Sequence, residues 1–479
     1  MNITVSADKT IGQVKPYWTK CVGSCHAYTA LRADWRSQLK TCRDEFGFEY
    51  VRFHGIFDDD MSVCLRNSDG KLEYSFFNVD SIFDYLLSIG MKPFIELSYM
   101  PEALASGTDT VFHYKGNITP PKVYQEWGDL CGALAAHLVE RYGIDEVSTW
   151  PFEVWNEPNL KGMFFSGTME EYLEMYRFAA LAIKKVNARL PVGGPSTAIN
   201  AWLPETIEFC KKNNLPLDFL STHHYPTDDG FGLGWGMEEQ MARADREVCH
   251  TTMVKAVEEA GDLPLYYSEW NSSPSPRDRW HDTSYCSSFI VKTVMNNMGL
   301  VELYSFWTFT DIFEECGQSS EPFHGGFGLL NIHNIPKPSY RAFQQLAKLV
   351  GQQLEATAQD ASPYVDFGAS RADGKVTVLL SNHNVLYGPN ETASINVTVK
   401  GIKGAKAASV TRIDEAHANP KKAWVDMGSP TYPTAAQIGQ LMKASEAADE
   451  PVALTQGADG VSFSLELPPE GVAAVTITL

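Results

Sequence analysis

The sequence predicts an α/β chain: a (β/α)8 TIM barrel with a C-terminal all-β sandwich domain. Three observations predict it. Between about residues 15 and 345, short apolar runs alternate eight times with amphipathic helical stretches, as in a parallel sheet whose crossovers are helices. After about residue 350 the helices give way to strand-like runs separated by turn residues, the texture of a sandwich. Glutamates end the fourth and seventh apolar runs of the first part, where a barrel of this kind carries its catalytic groups.

In order, the predicted barrel strands are 17–22, 50–53, 93–97, 152–155, 192–194, 219–222, 265–268 and 303–307. The helical patterns between and after them fall near 33–45, 80–89, 123–142, 170–188, 203–213, 236–260, 284–298 and 339–350. A doubly wound sheet would want a glycine-rich phosphate turn after its first strand, and Val22-Gly-Ser-Cys25 is not one. In the second part, strands are expected at 375–381, 393–399, 408–413, 461–467 and 473–479, several of them alternating as half-buried strands do. Residues 3–6 alternate in the same way and are expected to join the sandwich. Three regions follow: an N-terminal strand within 1–14, a barrel over 15–345 and a β-domain over 346–479. The stretch around 424–447 is not placed by periodicity.

The net charge of −20 argues against nucleic acid or an anionic membrane as partner, because both select basic surfaces. No run approaches transmembrane length. Nine cysteines at irregular spacing, mostly in apolar segments, fit buried free thiols in a reducing compartment better than a disulfide framework. The first ten residues have no basic or apolar signal region. The expected location is cytoplasmic, with a removed signal peptide left open. No CxxC occurs, so no zinc site is expected.

The chemistry starts from Trp150-Pro-Phe-Glu-Val-Trp-Asn-Glu-Pro-Asn159 and Pro264-Leu-Tyr-Tyr-Ser-Glu-Trp-Asn271. Two carboxylates facing each other across a cleft are the working parts of glycoside hydrolysis. Glu157, in an apolar setting and facing a second carboxylate, suits a general acid, whose pKa must be raised. Glu269 suits the ionised partner, oriented by Tyr267 or another cleft tyrosine and walled by Trp270. A separation of about 5–5.5 Å retains anomeric configuration and about 6.5–9.5 Å inverts it; sequence leaves that choice open.

Further candidates surround the pair. Asn156 is placed to hold a sugar hydroxyl. In Val51-Arg-Phe-His-Gly55, Arg52 is expected to keep Glu269 ionised and His54 to bond a hydroxyl. In Ser221-Thr-His-His-Tyr-Pro226, His224 and Tyr225 are expected to face the cleft; adjacent histidines on a strand point opposite ways, so a shared metal is not expected. After the eighth strand, Trp307 is a floor for a sugar ring, and Glu314 or Glu315, with Glu315 preferred, a clamp for hydroxyls. A sugar-binding barrel without catalysis would lose one carboxylate. A metal-dependent hydrolase would need more ligands than His54, His223 and His224.

These motifs, with Phe323-His-Gly-Gly-Phe-Gly-Leu-Leu-Asn331 and Trp424-Val-Asp-Met-Gly-Ser-Pro430, resemble glycoside hydrolase family 39 across nearly the whole chain. The resemblance implies a retaining mechanism with Glu157 as acid/base and Glu269 as nucleophile, and no metal or organic cofactor. It implies an oligosaccharide substrate, most often with β-xylosidase action from the chain end of short β-1,4-xylooligosaccharides. α-L-Iduronidase, β-glucosidase, β-galactosidase and arabinosidase remain open. A uronate-binding member would need cations in the cleft, where Arg277 and Arg279 are the nearest beyond Arg52. Bacterial xylosidases of the family are often tetramers, so a homo-oligomer is a further expectation.

Overall fold

The structure, a computed structural model, describes residues 1–402 and 404–479. Eight strands form a closed barrel: Cys21–His26, Tyr50–His54, Lys92–Leu97, Phe152–Val154, Val192–Thr197, Phe219–His223, Leu265–Trp270 and Leu303–Phe306. Each pairs in parallel with the next, and the eighth pairs back onto the first. The lumen fills in layers. At the N-terminal end lie Cys21, Phe94, Phe219 and Leu303 with Tyr50 and Tyr266. Above them, at the C-terminal end, the layer is charged.

The first strand begins later than the apolar run suggested. Tyr17–Thr19 is a short 3-10 turn, and the strand is Cys21–His26. Tyr17 is apolar packing: its ring stacks on Tyr304 with centroids 5.8 Å apart, and its hydroxyl donates to Val294 O at 2.8 Å. The real strand hides behind polar residues that are themselves buried and partnered. Ser24 accepts from the Trp35 indole at 2.8 Å, and His26 Nε2 meets the Asp60 carboxylate at 3.0 Å. The helical stretch expected over 236–260 is two helices, Met237–Arg243 and Val248–Ala260. Between them the Asp245 side chain accepts from Glu247 N at 2.8 Å, a local turn that competes with helix. Arg246 there reaches out to His383 O at 2.8 Å and to Asp366.

The C-terminal part is a ten-stranded, mostly antiparallel sheet. Strand Asn2–Gln13 lies within it, antiparallel to Gln352–Gln359 and parallel to Ala393–Lys400. Hydrogen bonding is continuous, so both faces of the expected sandwich belong to one sheet folded over one core, which includes Val5, Val378, Val397, Phe463 and Val475. The alternation along Ala393–Lys400, with Ile395, Val397 and Val399 buried between exposed neighbours, is what marked it as a strand. The stretch that periodicity did not place contains helices Pro420–Asp426 and Ala435–Ala444. Trp424 packs on Phe323, ring centroids 5.7 Å apart, beside Ile335 and Leu441. This docks the stretch onto the loop after the eighth barrel strand.

Helix Ser284–Asn296 lies between barrel and sheet and is buried from Ser284 to Val294. Ser381 Oγ donates to Ser288 O at 2.9 Å, and Leu379, Ile413 and Val472 join the barrel's core. Below the site, fully buried Lys337 donates to Asp282 at 2.8 Å, Asp311 at 3.0 Å and Gly326 O at 2.7 Å. Lys337→Met removes the nearest cation from two buried carboxylates and leaves Asp282 only Lys421 at 3.9 Å, at a cost of roughly 3–5 kcal/mol. A clear drop in the thermal midpoint is expected; an unchanged midpoint would contradict this role. No helix among the described residues is long and apolar enough to cross a membrane.

Candidate active site

Glu157 stands on the turn that leaves the fourth strand. Trp155 and Glu157 both have left-handed backbone, with φ of 72° and 43°. Non-glycine residues occupy that region sparingly, and they do so where surroundings over-determine them. Here the Trp155 indole donates to Phe164 O at 2.9 Å, and Glu157 N donates to Ser196 O at 2.8 Å. Glu269 ends the seventh strand. The register against Leu303–Phe306 shifts between Tyr267 and Trp270, and such an irregularity re-aims side chains. Ser268 and Glu269 consequently both face the lumen. Trp270 turns out to stack on Tyr304, with centroids 4.1 Å apart and planes 2° apart.

Arg52, fully buried, connects the parts. Its Nε donates to Glu153 at 2.6 Å, Nη1 to Glu269 at 2.8 Å, and Nη2 to Asn156 Oδ1 at 2.8 Å, with Glu96 also at 2.8 Å. Glu96 in turn accepts from His54 Nδ1 at 2.8 Å. Burial alone would favour neutral His54, but the Glu96 carboxylate outweighs it and raises the imidazole pKa. The other ring nitrogen of His54 lies 3.7 Å from Glu269 and 3.8 Å from Glu315. Two cations, Arg52 and His54, thus face three carboxylates, Glu96, Glu153 and Glu269. The surplus negative charge stands where positive charge would develop on a reacting sugar.

The two candidate catalytic carboxyls differ in their neighbours. Glu269 accepts from Arg52 and, through its other oxygen, from the Tyr225 hydroxyl at 3.1 Å. Burial pushes both glutamates up, and Arg52 and His54 draw Glu269 back down. Glu157 touches no cation, and Glu269 and Asp228 raise it further after burial. The proton of the pair therefore rests on Glu157.

His223 positions the Glu157 carboxyl. Ser268 Oγ donates to Glu153 at 2.7 Å, so it accepts from His223 Nε2, 3.1 Å away. Burial, then the charges of Arg52 and His54, hold His223 neutral. Its Nδ1 is then an acceptor, and protonated Glu157 Oε1 donates to it at 2.9 Å.

The pocket over this pair has a volume of about 420 Å³ and is lined by His54, Tyr225, Trp307 and Glu315, among others. Trp307 lies against Gly23, where a Cβ would come within 2.4 Å of its ring; only glycine leaves room for the indole. The Glu315 side chain is 9% exposed, and desolvation, outweighing nearby His54, pushes its carboxyl up to about 8. Raised that far, the carboxyl can both donate to and accept from hydroxyls when it carries its proton. Glu314 instead faces Arg32 at 3.4 Å. Asn156 Nδ2 is buried with no protein partner.

His224, like Arg52 and Asn156, is absent from the pocket lining. Unlike them it is not hydrogen-bonded into the cluster around Glu269, and its Nε2 faces Asp228 at 4.0 Å. Phe219 points into the lumen and residues alternate from there, so Ser221 and His223 follow it inward. Counting parity from Phe219 would have chosen His223. Glu96 and Glu153 were also missed, although each is a carboxylate inside an apolar run and so must be paired. Among the described residues, Glu157, His223 and Glu269 alone bring three ligand-type atoms within 4.8 Å of one another. Of the three pairs, Glu157 and His223 are hydrogen-bonded at 2.9 Å, and His223 Nδ1 lies 3.7 Å from Glu269.

A model of Glycosyl hydrolases family 39 matches residues 1–460. The chain belongs to family 39. It is accordingly a retaining glycoside hydrolase. The chain is 59% identical over its whole length to a β-xylosidase of Caldicellulosiruptor saccharolyticus, of which it covers 98%. It is 34% identical to a β-xylosidase of Geobacillus stearothermophilus, over 90% of this chain and 86% of that one. A solved monomeric β-xylosidase of Caulobacter crescentus CB15 superposes with a TM-score of 0.87 at 33% identity, covering 100% of this chain and 99% of that one.

Proposed function

We propose that this family 39 member is an exo-acting β-xylosidase that releases xylose from short β-1,4-xylooligosaccharides by double displacement. The observation that carries the mechanism is the asymmetric pair. Oxygens of Glu157 and Glu269 approach within 4.8 Å, and only Glu269 is held by Arg52. Such closeness suits direct attack rather than a bridging water. With substrate bound, the Glu157 proton turns from His223 to the glycosidic oxygen and is donated there as Glu269 attacks the anomeric carbon. Once Glu269 is esterified, Glu157 loses its charged neighbour, its pKa falls, and it takes a proton from water as the ester is cleaved.

Exo action is supported by the mouth of the pocket. His113 N, in the loop after the third strand, donates to Glu315 O at 2.8 Å, after the eighth strand. This bridge walls one end, and Phe112 from the same loop lines the pocket. In the glycone site, Glu315, His54 and the free amide of Asn156 meet the hydroxyls, and Trp307 floors the ring.

Xylose is favoured over a uronate by the absence of Lys and Arg among the lining residues. Arg277 donates to Gly317 O at 3.2 Å, and Arg279 pairs with Glu238 at 2.7 Å. Neither turns toward the site, so no Lys or Arg is placed to meet a uronate carboxylate there. A panel of aryl glycosides tests this. β-Xyloside turnover should exceed that of the β-glucoside, with α-L-iduronide inert; faster cleavage of the iduronide would overturn the reading.

The nine unpaired cysteines, eight of them buried, support a reducing compartment, the cytoplasm. The homo-oligomer implied by the family resemblance is checked by light scattering, the C. crescentus relative being described as monomeric.

A further inference from the structure

The wall on the Glu157 side of the pocket differs from the glycone side. The glycone end gathers His54, Trp307 and Glu315. The opposite wall comes from loops after the fourth, fifth and sixth strands and presents Leu160, Met163, Ile199, Phe231 and Met237. Three of these are large apolar side chains facing solvent: Phe231 is 54% exposed, Met163 46% and Ile199 43%. A contiguous exposed apolar surface at the mouth of a site marks a surface meant to be covered.

Ile199 is held there against its preference. Its backbone has φ 56° and ψ 30°, the left-handed region that a β-branched residue rarely adopts. The neighbouring backbone is clamped to the turn that carries the acid. Asn159 Oδ1 accepts from Ala198 N at 2.9 Å, and Asn159 Nδ2 donates to Ala198 O at 3.0 Å. Asn159 is two residues beyond Glu157, so Ile199 keeps a fixed position relative to the proton donor. Two polar groups on this wall are turned to backbone, Gln240 donating to Trp235 O at 2.9 Å and Asp228 accepting from Tyr225 N at 3.0 Å; the Thr227 hydroxyl is buried without a partner.

We infer that this wall is an aglycone site built for apolar leaving groups, so that β-xylosides of alkyl or aryl alcohols are better substrates than xylobiose. The inference rests on the β-xylosidase reading, because it needs a xylosyl unit seated over Glu269. Glu157 protonates the departing oxygen, and the alcohol leaves across Ile199 and Phe231 instead of a hydrogen-bonded sugar.

The test is a series of n-alkyl β-xylosides from methyl to hexyl, whose leaving groups differ little in basicity, with xylobiose and 4-nitrophenyl β-xyloside alongside. kcat/KM should rise by roughly two- to fourfold per added methylene until the chain outgrows the wall, and hexyl xyloside should exceed xylobiose. In the Ile199→Asn, Phe231→Ser double variant the rise per methylene should flatten. Each slope is a ratio within one protein, so a general loss of activity or folded fraction does not mimic flattening. A flat wild-type series with 4-nitrophenyl xyloside still cleaved overturns this inference alone. An equal slope in wild type and variant overturns the assignment to these residues. Failure to cleave any xyloside overturns the xylosidase reading, and this inference with it.

Discussion

Glu269→Ala is expected to lose turnover on the order of 10⁶-fold, the scale of loss when the covalent nucleophile of a catalytic unit is removed. The protein should stay folded, because Arg52 keeps Glu153 at 2.6 Å and Glu96 at 2.8 Å as partners. Azide fits the vacated space beside Arg52 and should attack the anomeric carbon from the nucleophile's side. With no second displacement, the glycosyl azide has inverted configuration. A variant that keeps substantial activity, or that yields the azide with retained configuration, would remove Glu269 from this role. The same variant tests the charge coupling. Without the Glu269 charge, Glu157 should titrate lower than in the wild type, observable by infrared or NMR titration of its carboxyl.

Glu157→Ala is expected to separate substrates by leaving group. Xylobiose, whose departing oxygen needs a proton, should lose roughly 10²–10⁴-fold. An aryl xyloside with an acidic phenol should lose less in the first step and accumulate as the glycosyl-enzyme. Azide should then rescue the second step, giving a product of retained configuration. The pH profile adds a sign. Wild-type activity requires Glu269 ionised and Glu157 protonated, so it falls at low pH as Glu269 gains a proton and at high pH as Glu157 loses one. The high-pH limb lies well above the ordinary carboxyl range, because burial and Glu269 raise Glu157. In Glu157→Ala that limb should vanish for activated substrates. Equal losses for xylobiose and the aryl xyloside, with the limb unchanged, would assign the acid elsewhere.

Much of this was legible in the sequence because barrel strands are apolar runs of fixed rhythm and their ends carry the chemistry. Glu157, Glu269, His54, Tyr225, Trp307 and Glu315 line one pocket, and Arg52 and Asn156 stand behind it, Arg52 donating to Glu269 and to Asn156. The first strand was misplaced because Ser24 and His26 are polar yet buried, and periodicity reads them as loop. His224 was preferred to His223 because adjacent positions on a strand differ only in parity, and local composition does not set parity. The lumen carboxylates Glu96 and Glu153 went unread because their partner, Arg52, is distant in sequence. Left-handed backbone at Trp155, Glu157 and Ile199 has no signature in side-chain type, and the third of these shapes the leaving-group wall.

The most direct measurement is trapping with a 2-deoxy-2-fluoro β-xyloside bearing an activated leaving group, followed by intact mass and peptide mapping. The fluorine slows both steps, and the good leaving group restores the first, so the covalent intermediate accumulates. The account predicts one fluoroxylosyl group per chain, on the peptide containing Glu269 and on that residue, with activity lost as the label forms. A label on any other residue, or turnover with inversion and no label, would contradict it.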